Sequence, residues 1–160
     1  MRRFVTVGAP ATALFALDQA GKYLASDFVG YGEAIRVTGF FNLVHARNYG
    51  AAFGFLDDPS LGIQVWLFGG ATLAALVAVF LLARSAEGKD GIFLFALGLI
   101  AGGALGNLAD RVRLGAVVDF LDFHYGALHW PAFNFADMGI CIGAGFAALS
   151  MVRGKREEAG

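Results

Sequence analysis

Residues 61–83 read LGIQVWLFGGATLAALVAVFLLA, and no charged side chain interrupts them. A helix needs ~20 mostly apolar residues to cross a ~30 Å hydrocarbon core, so this stretch predicts a membrane span. Asp58 is a candidate cap ahead of it, and Pro59 suits a first helical position. Three more stretches have comparable length and character, at 4–24, 91–108 and 133–152. The first is the least apolar, because Asp18, Gln19 and Lys22 break its far end. Composition agrees: of 160 residues 58% are hydrophobic and 16% charged, with a mean hydropathy of +0.63. A soluble domain of this size could not hide so much apolar surface. The expected architecture is therefore an all-α membrane protein of four transmembrane helices, a single domain over 1–160.

Charge excludes some functions. A net charge of -1 offers no basic patch for nucleic acid. Cys141 is the lone cysteine, which rules out an intrachain disulfide or a thiolate metal cluster and leaves a small hydrophobe. Met1-Arg2-Arg3 followed by an apolar run imitates a cleavable signal peptide. The run ends in Asp18-Gln19 rather than a small-residue cleavage site, so a retained first helix is expected. Arg2 and Arg3, then Arg84 and Lys89, then Arg153, Lys155 and Arg156 all fall on one side of a four-span topology. By the positive-inside rule that side is the cytoplasm, with both termini there.

The opposite side receives linkers 25–60 and 109–132. Residues 34–45 are rich in β-branched and aromatic types and predict one or two short strands. Residues 115–125 also look extended, and 48–56, glycine-rich and too short to span, suit a re-entrant or interfacial segment. A small extracytoplasmic β platform is the result. Gly98, Gly102 and Gly106, with Gly139, Gly143 and Ala147, form small-residue faces that let helices approach closely in lipid.

Polar residues converge at one level. In the up-down topology, Asp18 lies near the outer end of the first helix, Asn107 and Asp110 at that of the third, and Asn134 and Asp137 at the start of the fourth. Asp119 sits in the linker between the last two. Carboxylates at membrane depth are costly and mark function by default. Asp119 and Asp137 could share one proton and activate a water, the chemistry of an aspartic peptidase. Blander readings stand beside this. Asn134 could cap the fourth helix with Asp137 at its third position, and Asp18 and Lys22 could be an i,i+4 ion pair. Asp110-Arg111 could pair at a helix end, with Arg111 and Arg113 reaching headgroups. Asp122 reads as a solvated loop carboxylate, and His45, His124 and His129 as interfacial polar residues without metal-ligand spacing. Trp66 and Trp130 fit an aromatic belt.

Five blocks carry a family resemblance. Asp18-Gln19-x-x-Lys22, Asn48-x-Gly50-Ala51-Ala52-Phe53-Gly54, Gly102-Gly103-Ala104-Leu105-Gly106-Asn107-x-x-Asp110-Arg111, Val117-Val118-Asp119-Phe120 and Phe133-Asn134-x-Ala136-Asp137 resemble those of lipoprotein signal peptidase, signal peptidase II. They occur in that family's order and spacing through most of the chain. Met138-Gly139 departs from the Ser-Ala often found after the last block. The resemblance implies an aspartic endopeptidase of the bacterial inner membrane that cleaves prolipoproteins before their diacylglyceryl-modified cysteine. It implies Asp119 and Asp137 as the catalytic pair, with Asp18, Lys22, Asn48, Asn107, Asp110, Arg111 and Asn134 shaping or supporting the site. No metal or cofactor is expected, membrane lipids and lipid-modified precursors are the partners, and the protein is taken as a monomer. The site should open at the outer leaflet. The runner-up is a metal-dependent phosphotransferase or phosphatase with an ion on Asp110, Asp119 and Asp137. A third reading is a small transporter, which the nearly polar-free inner halves of the helices disfavour.

Overall fold

The computed structural model describes residues 2–50, 62–86 and 91–158, without the side chains of residue 2 and of 154–158. Its elements run α1 (Arg2–Phe28), β1 (Ala34–Arg36), β2 (Phe41–Asn48), α2 (Gln64–Ser85), α3 (Gly91–Leu114), β3 (Val117–Tyr125), β4 (Leu128–His129) and α4 (Phe135–Glu158). The strands form one antiparallel sheet in the order β1-β2-β3-β4. Three helices are long and apolar enough to cross a membrane: α2, α3 and the Phe135–Arg153 part of α4. The α1 helix is longer than any of these but less apolar. Two of its charged residues turn inward, Asp18 and Lys22, and both are buried.

The α3 helix is the hub, packed against α1, α2 and α4. Its glycines explain how. A Cβ at Gly98 would meet the Val7 carbonyl, one at Gly102 the Ala11 carbonyl, and one at Gly103 the Ala136 carbonyl. On α4, Gly139 faces Leu14 and Gly143 faces the Ala96 carbonyl. Backbones in such contact gain dispersion energy that lipid chains cannot match. The expected small-residue faces are the real helix interfaces.

One detail differs from expectation. The α2 helix begins at Gln64 with Ile63 at its cap position, so Asp58 and Pro59, which lie outside the described residues, do not start it. The expected interfacial segment falls largely outside the described residues as well. The expected extended stretches, by contrast, are strands: residues 34–45 fold into the β1–β2 hairpin and β3 takes 117–125.

Candidate active site

The sheet and the helix ends meet through a short extended link. Phe133 bridges to Leu121 of β3 immediately before α4 begins, which sets Asn134 beside Asp119. Asn134 then caps α4: its Oδ1 accepts the Asp137 N–H at 2.9 Å, and Asp137 Oδ2 reaches back to the Asn134 N–H at 3.3 Å. This is the reciprocal capping pattern of a helix start, made here with aspartate at the third position. Asp18 satisfies another free N–H of the same end, accepting from Ala136 at 2.9 Å.

The cap does not compete with the carboxylate pair; it builds it. Asn134 Nδ2 donates to Asp119 Oδ1 at 2.7 Å, so one asparagine touches both carboxylates. Asn48, across the sheet on β2, donates to Asp119 Oδ2 at 3.2 Å. Asn107, from the third turn back on α3, donates to Asp137 Oδ1 at 2.8 Å. Burial and the nearby Asp137 charge push the Asp119 carboxyl up to about 7, against the Asn48 and Asn134 amides and the Lys22 ammonium. Three residues along β3, Asp122 behaves oppositely. Burial disfavours its charge, but the His129 ring and the Asn42 amide outweigh it and hold its carboxyl below the ordinary value.

Behind the pair lies a buried ion cluster. Lys22 Nζ stands 2.8 Å from Asp18 Oδ2 and 2.8 Å from Asp110 Oδ2, and it donates to Asn107 Oδ1 at 2.9 Å. Lysine can only donate, so the Asn107 carbonyl must face it and the Asn107 NH₂ is turned toward Asp137. Gln19 adds contacts to Asp18 and Asp110 at 3.3 and 3.2 Å. Asp110 also accepts the Val118 N–H at 3.2 Å, tying α3 to the strand that carries Asp119. A Cβ at Gly106 would strike the Asp18 carboxylate, so this glycine makes room for the cluster. Arg111 stands apart from it, donating to the Gly50 carbonyl at 3.2 Å with its guanidinium 5.4 Å from the Phe68 ring of α2.

All nine residues expected at the site are thus placed, and eight of them, Asp18, Lys22, Asn48, Asn107, Asp110, Asn134, Asp119 and Asp137, belong to one hydrogen-bonded network. Several readings are corrected. Asp110 is buried against Lys22 rather than paired with Arg111 at an interface. Asp122 is a strand residue bound to Asn42 and His129, not a solvated loop carboxylate. His45 is buried, its Nδ1 3.1 Å from the Val29 carbonyl, so it staples β2 to the end of α1. Gln19 was legible only as a neighbour of Asp18 in its block; its role depends on α3, far away in sequence.

A family model described as signal peptidase (SPase) II matches residues 11–153. The chain belongs to the signal peptidase II family. It is an aspartic protease of lipoprotein processing, and the phosphotransferase reading is unsupported. Among the described residues no three His, Cys, Asp or Glu side chains gather as metal ligands, and Asp110 is paired with Lys22 at 2.8 Å. The lipoprotein signal peptidase of Oleidesulfovibrio alaskensis is 47% identical over 157 residues, covering 96% of this chain and 98% of the relative. That of Ralstonia nicotianae is 53% identical over 138 residues, 86% of this chain and 78% of the relative. Among solved structures, a bacterial membrane enzyme determined in meso at 2.3 Å resolution superposes with a TM-score of 0.79. It is 30% identical and covers 91% of this chain and 86% of its own. A second, at 1.9 Å resolution, has a TM-score of 0.76 at 30% identity, covering 89% and 90%.

Proposed function

We propose that Asp119 and Asp137 are the catalytic pair of this signal peptidase II. The observation that carries the assignment is the Asn134 bridge, which holds both carboxylates from one side chain and its own N–H. Two carboxylates this close share a proton and titrate as a unit. The ionised member takes a proton from a water that attacks the scissile carbonyl, and the protonated member polarises that carbonyl. Asn48 and Asn107 fix the outer oxygens of the pair. Lys22, Asp18 and Asp110 fix Asn107 and the start of α4.

In this reading the chain acts as one integral-membrane peptidase domain with four spans, α1 being the fourth. Both termini lie in the cytoplasm of a bacterial inner membrane, and the site opens at the outer leaflet. The substrate is a prolipoprotein cut before its diacylglyceryl-modified cysteine, arriving from within the bilayer. Support comes from the basic residues Arg84 and Arg153, at helix ends opposite the sheet, and from the lipoprotein signal peptidases to which the chain is similar. The test is incubation of purified protein with a lipid-modified precursor peptide and with its unmodified twin. Cleavage of the modified peptide alone is expected. Equal cleavage of both would contradict the lipid requirement.

A further inference from the structure

The β2–β3 sheet has two faces, and the catalytic pair uses only one. Residues paired across an antiparallel ladder share a face, and faces alternate along each strand. Ala46 pairs with Asp119, Arg47 with Val118 and Asn48 with Val117, so Asn48 and Asp119 look one way while Arg47 and Val118 look the other. Behind that second face is a cavity of about 220 Å³, lined in part by Lys22, Tyr23, Arg47, Asp110, Arg113 and Leu114.

Its charge is unbalanced. Lys22 is committed to Asp18 and Asp110, which accounts for the carboxylate on the cavity wall. Arg47 and Arg113 have no carboxylate partner among the described residues. Arg47 is held with its guanidinium 5.0 Å from the Tyr31 ring. An arginine left without an anionic partner favours a ligand that supplies one. Arg113 gives one Nη1 bond to Gln19 Oε1 at 3.0 Å and keeps the rest of its fork available. Two guanidinium forks facing one cavity match the oxygens of a phosphate better than those of any neutral group.

We infer that this cavity binds a phosphate group, set behind the sheet and apart from the peptide-cleaving face. Phospholipid headgroups and free phosphate offer the same chemistry. Position favours the headgroup: Tyr23 is 70% exposed at the rim, beside Leu114 in the last turn of α3, at the helix ends where headgroups meet a membrane protein.

Native mass spectrometry of the full chain released from detergent tests this, with three probes: dioleoyl phosphatidylglycerol, dioleoylglycerol with the same chains and no phosphate, and sodium phosphate. Wild type should retain one phosphatidylglycerol through its phosphate, whereas dioleoylglycerol, which resembles the diacylglyceryl group of the proposed substrate, should be retained equally by wild type and the arginine variants. Arg47→Gln/Arg113→Gln should retain about tenfold less phosphatidylglycerol, and Arg47→Lys/Arg113→Lys should recover much of the loss. If the double glutamine variant fails to assemble, Arg113→Gln alone, at an exposed position, should still weaken retention. Displacement of the lipid by sodium phosphate assigns the site to the free anion; retention in its presence assigns it to the headgroup. Equal retention of phosphatidylglycerol by wild type and the glutamine variants, or no binding of lipid or phosphate by wild type, overturns the inference.

Discussion

The α2 and α3 helices are near twins in length and apolarity, with mean hydropathies of 2.3 and 2.0, yet they do different things. Only 6% of the α2 window is buried inside the protein, against 56% for α3. Hydropathy therefore marks both as spans and says nothing about which is the hub. The small residues decide that. Gly98, Gly102, Gly103 and Gly106 of α3 each face a neighbouring helix at contact distance, whereas Gly70 of α2 has open space where its Cβ would be. A helix that can be approached on two sides can also hold polar residues out of lipid, and α3 ends in Asn107, Asp110 and Arg111. From α2, the Phe68 ring reaches this region, against Arg111. Burial matters here, since a carboxylate among apolar groups survives only where protein groups satisfy it.

The sharpest break of that contrast lies at the site itself. Asp119→Asn keeps the shape of the side chain but removes its proton chemistry, and peptide cleavage should fall by at least ~10²–10⁴-fold. Thr72→Ala on α2, which removes only a bond to the Phe68 carbonyl, should leave the rate near wild type in the same assay. Next in size is Lys22→Met. It strips the ammonium from Asp18 and Asp110, both buried, and should cost about 3–5 kcal/mol, read as a lower unfolding midpoint in detergent. An unchanged midpoint would show that the cluster contributes little.

A matched glycine pair sharpens the comparison further. Gly106→Ala pushes a methyl against the Asp18 carboxylate and should cost about 1–3 kcal/mol with reduced turnover. Gly70→Ala on α2 meets nothing and should be neutral, or stabilising by up to about 1 kcal/mol through helix propensity. Equal effects at both positions would remove the distinction between hub and outlier.

The smallest expected effect is a shift in pH dependence. Burial and Asp137 raise the Asp119 carboxyl to about 7, and in the proposed mechanism the pair must hold one proton, so activity should decline as pH rises through that region. The Asn48 amide favours the ionised form, and removing it raises the carboxyl further. Asn48→Ala should therefore move the alkaline limb of the rate profile to higher pH. A move to lower pH would mean that Asn48 acts otherwise.

Local pattern made much of this legible. Period and β-branched content located the β1–β2 hairpin, four-residue glycine spacing located the helix interfaces, and depth along the helices gathered Asp18, Asn107, Asp110, Asn134 and Asp137 at one level. What stayed hidden was choice of partner. Asp110 sits beside Arg111 in sequence but pairs with Lys22 of another helix, and Asp122 looked solvated until Asn42 and His129 closed over it. The Lys22–Asp110 and Asn42–Asp122 pairings join residues at least eighty positions apart, which no local window contains, while His129 lies only seven residues from Asp122. The α1 helix was hard to judge for the same reason, since its polar residues depress its hydropathy while their partners lie on α3 and α4.

Asp137 is where structure and chemistry overlap most, because it completes the cap of α4 and belongs to the proposed pair. Measuring cleavage of lipid-modified precursor and the unfolding midpoint on one preparation of Asp137→Asn separates the two. Asparagine can still accept at the helix start, so a midpoint within a few degrees of wild type is expected, with cleavage lost by at least ~10²-fold. Near-normal cleavage with a lowered midpoint would make Asp137 a cap alone and remove the catalytic pair.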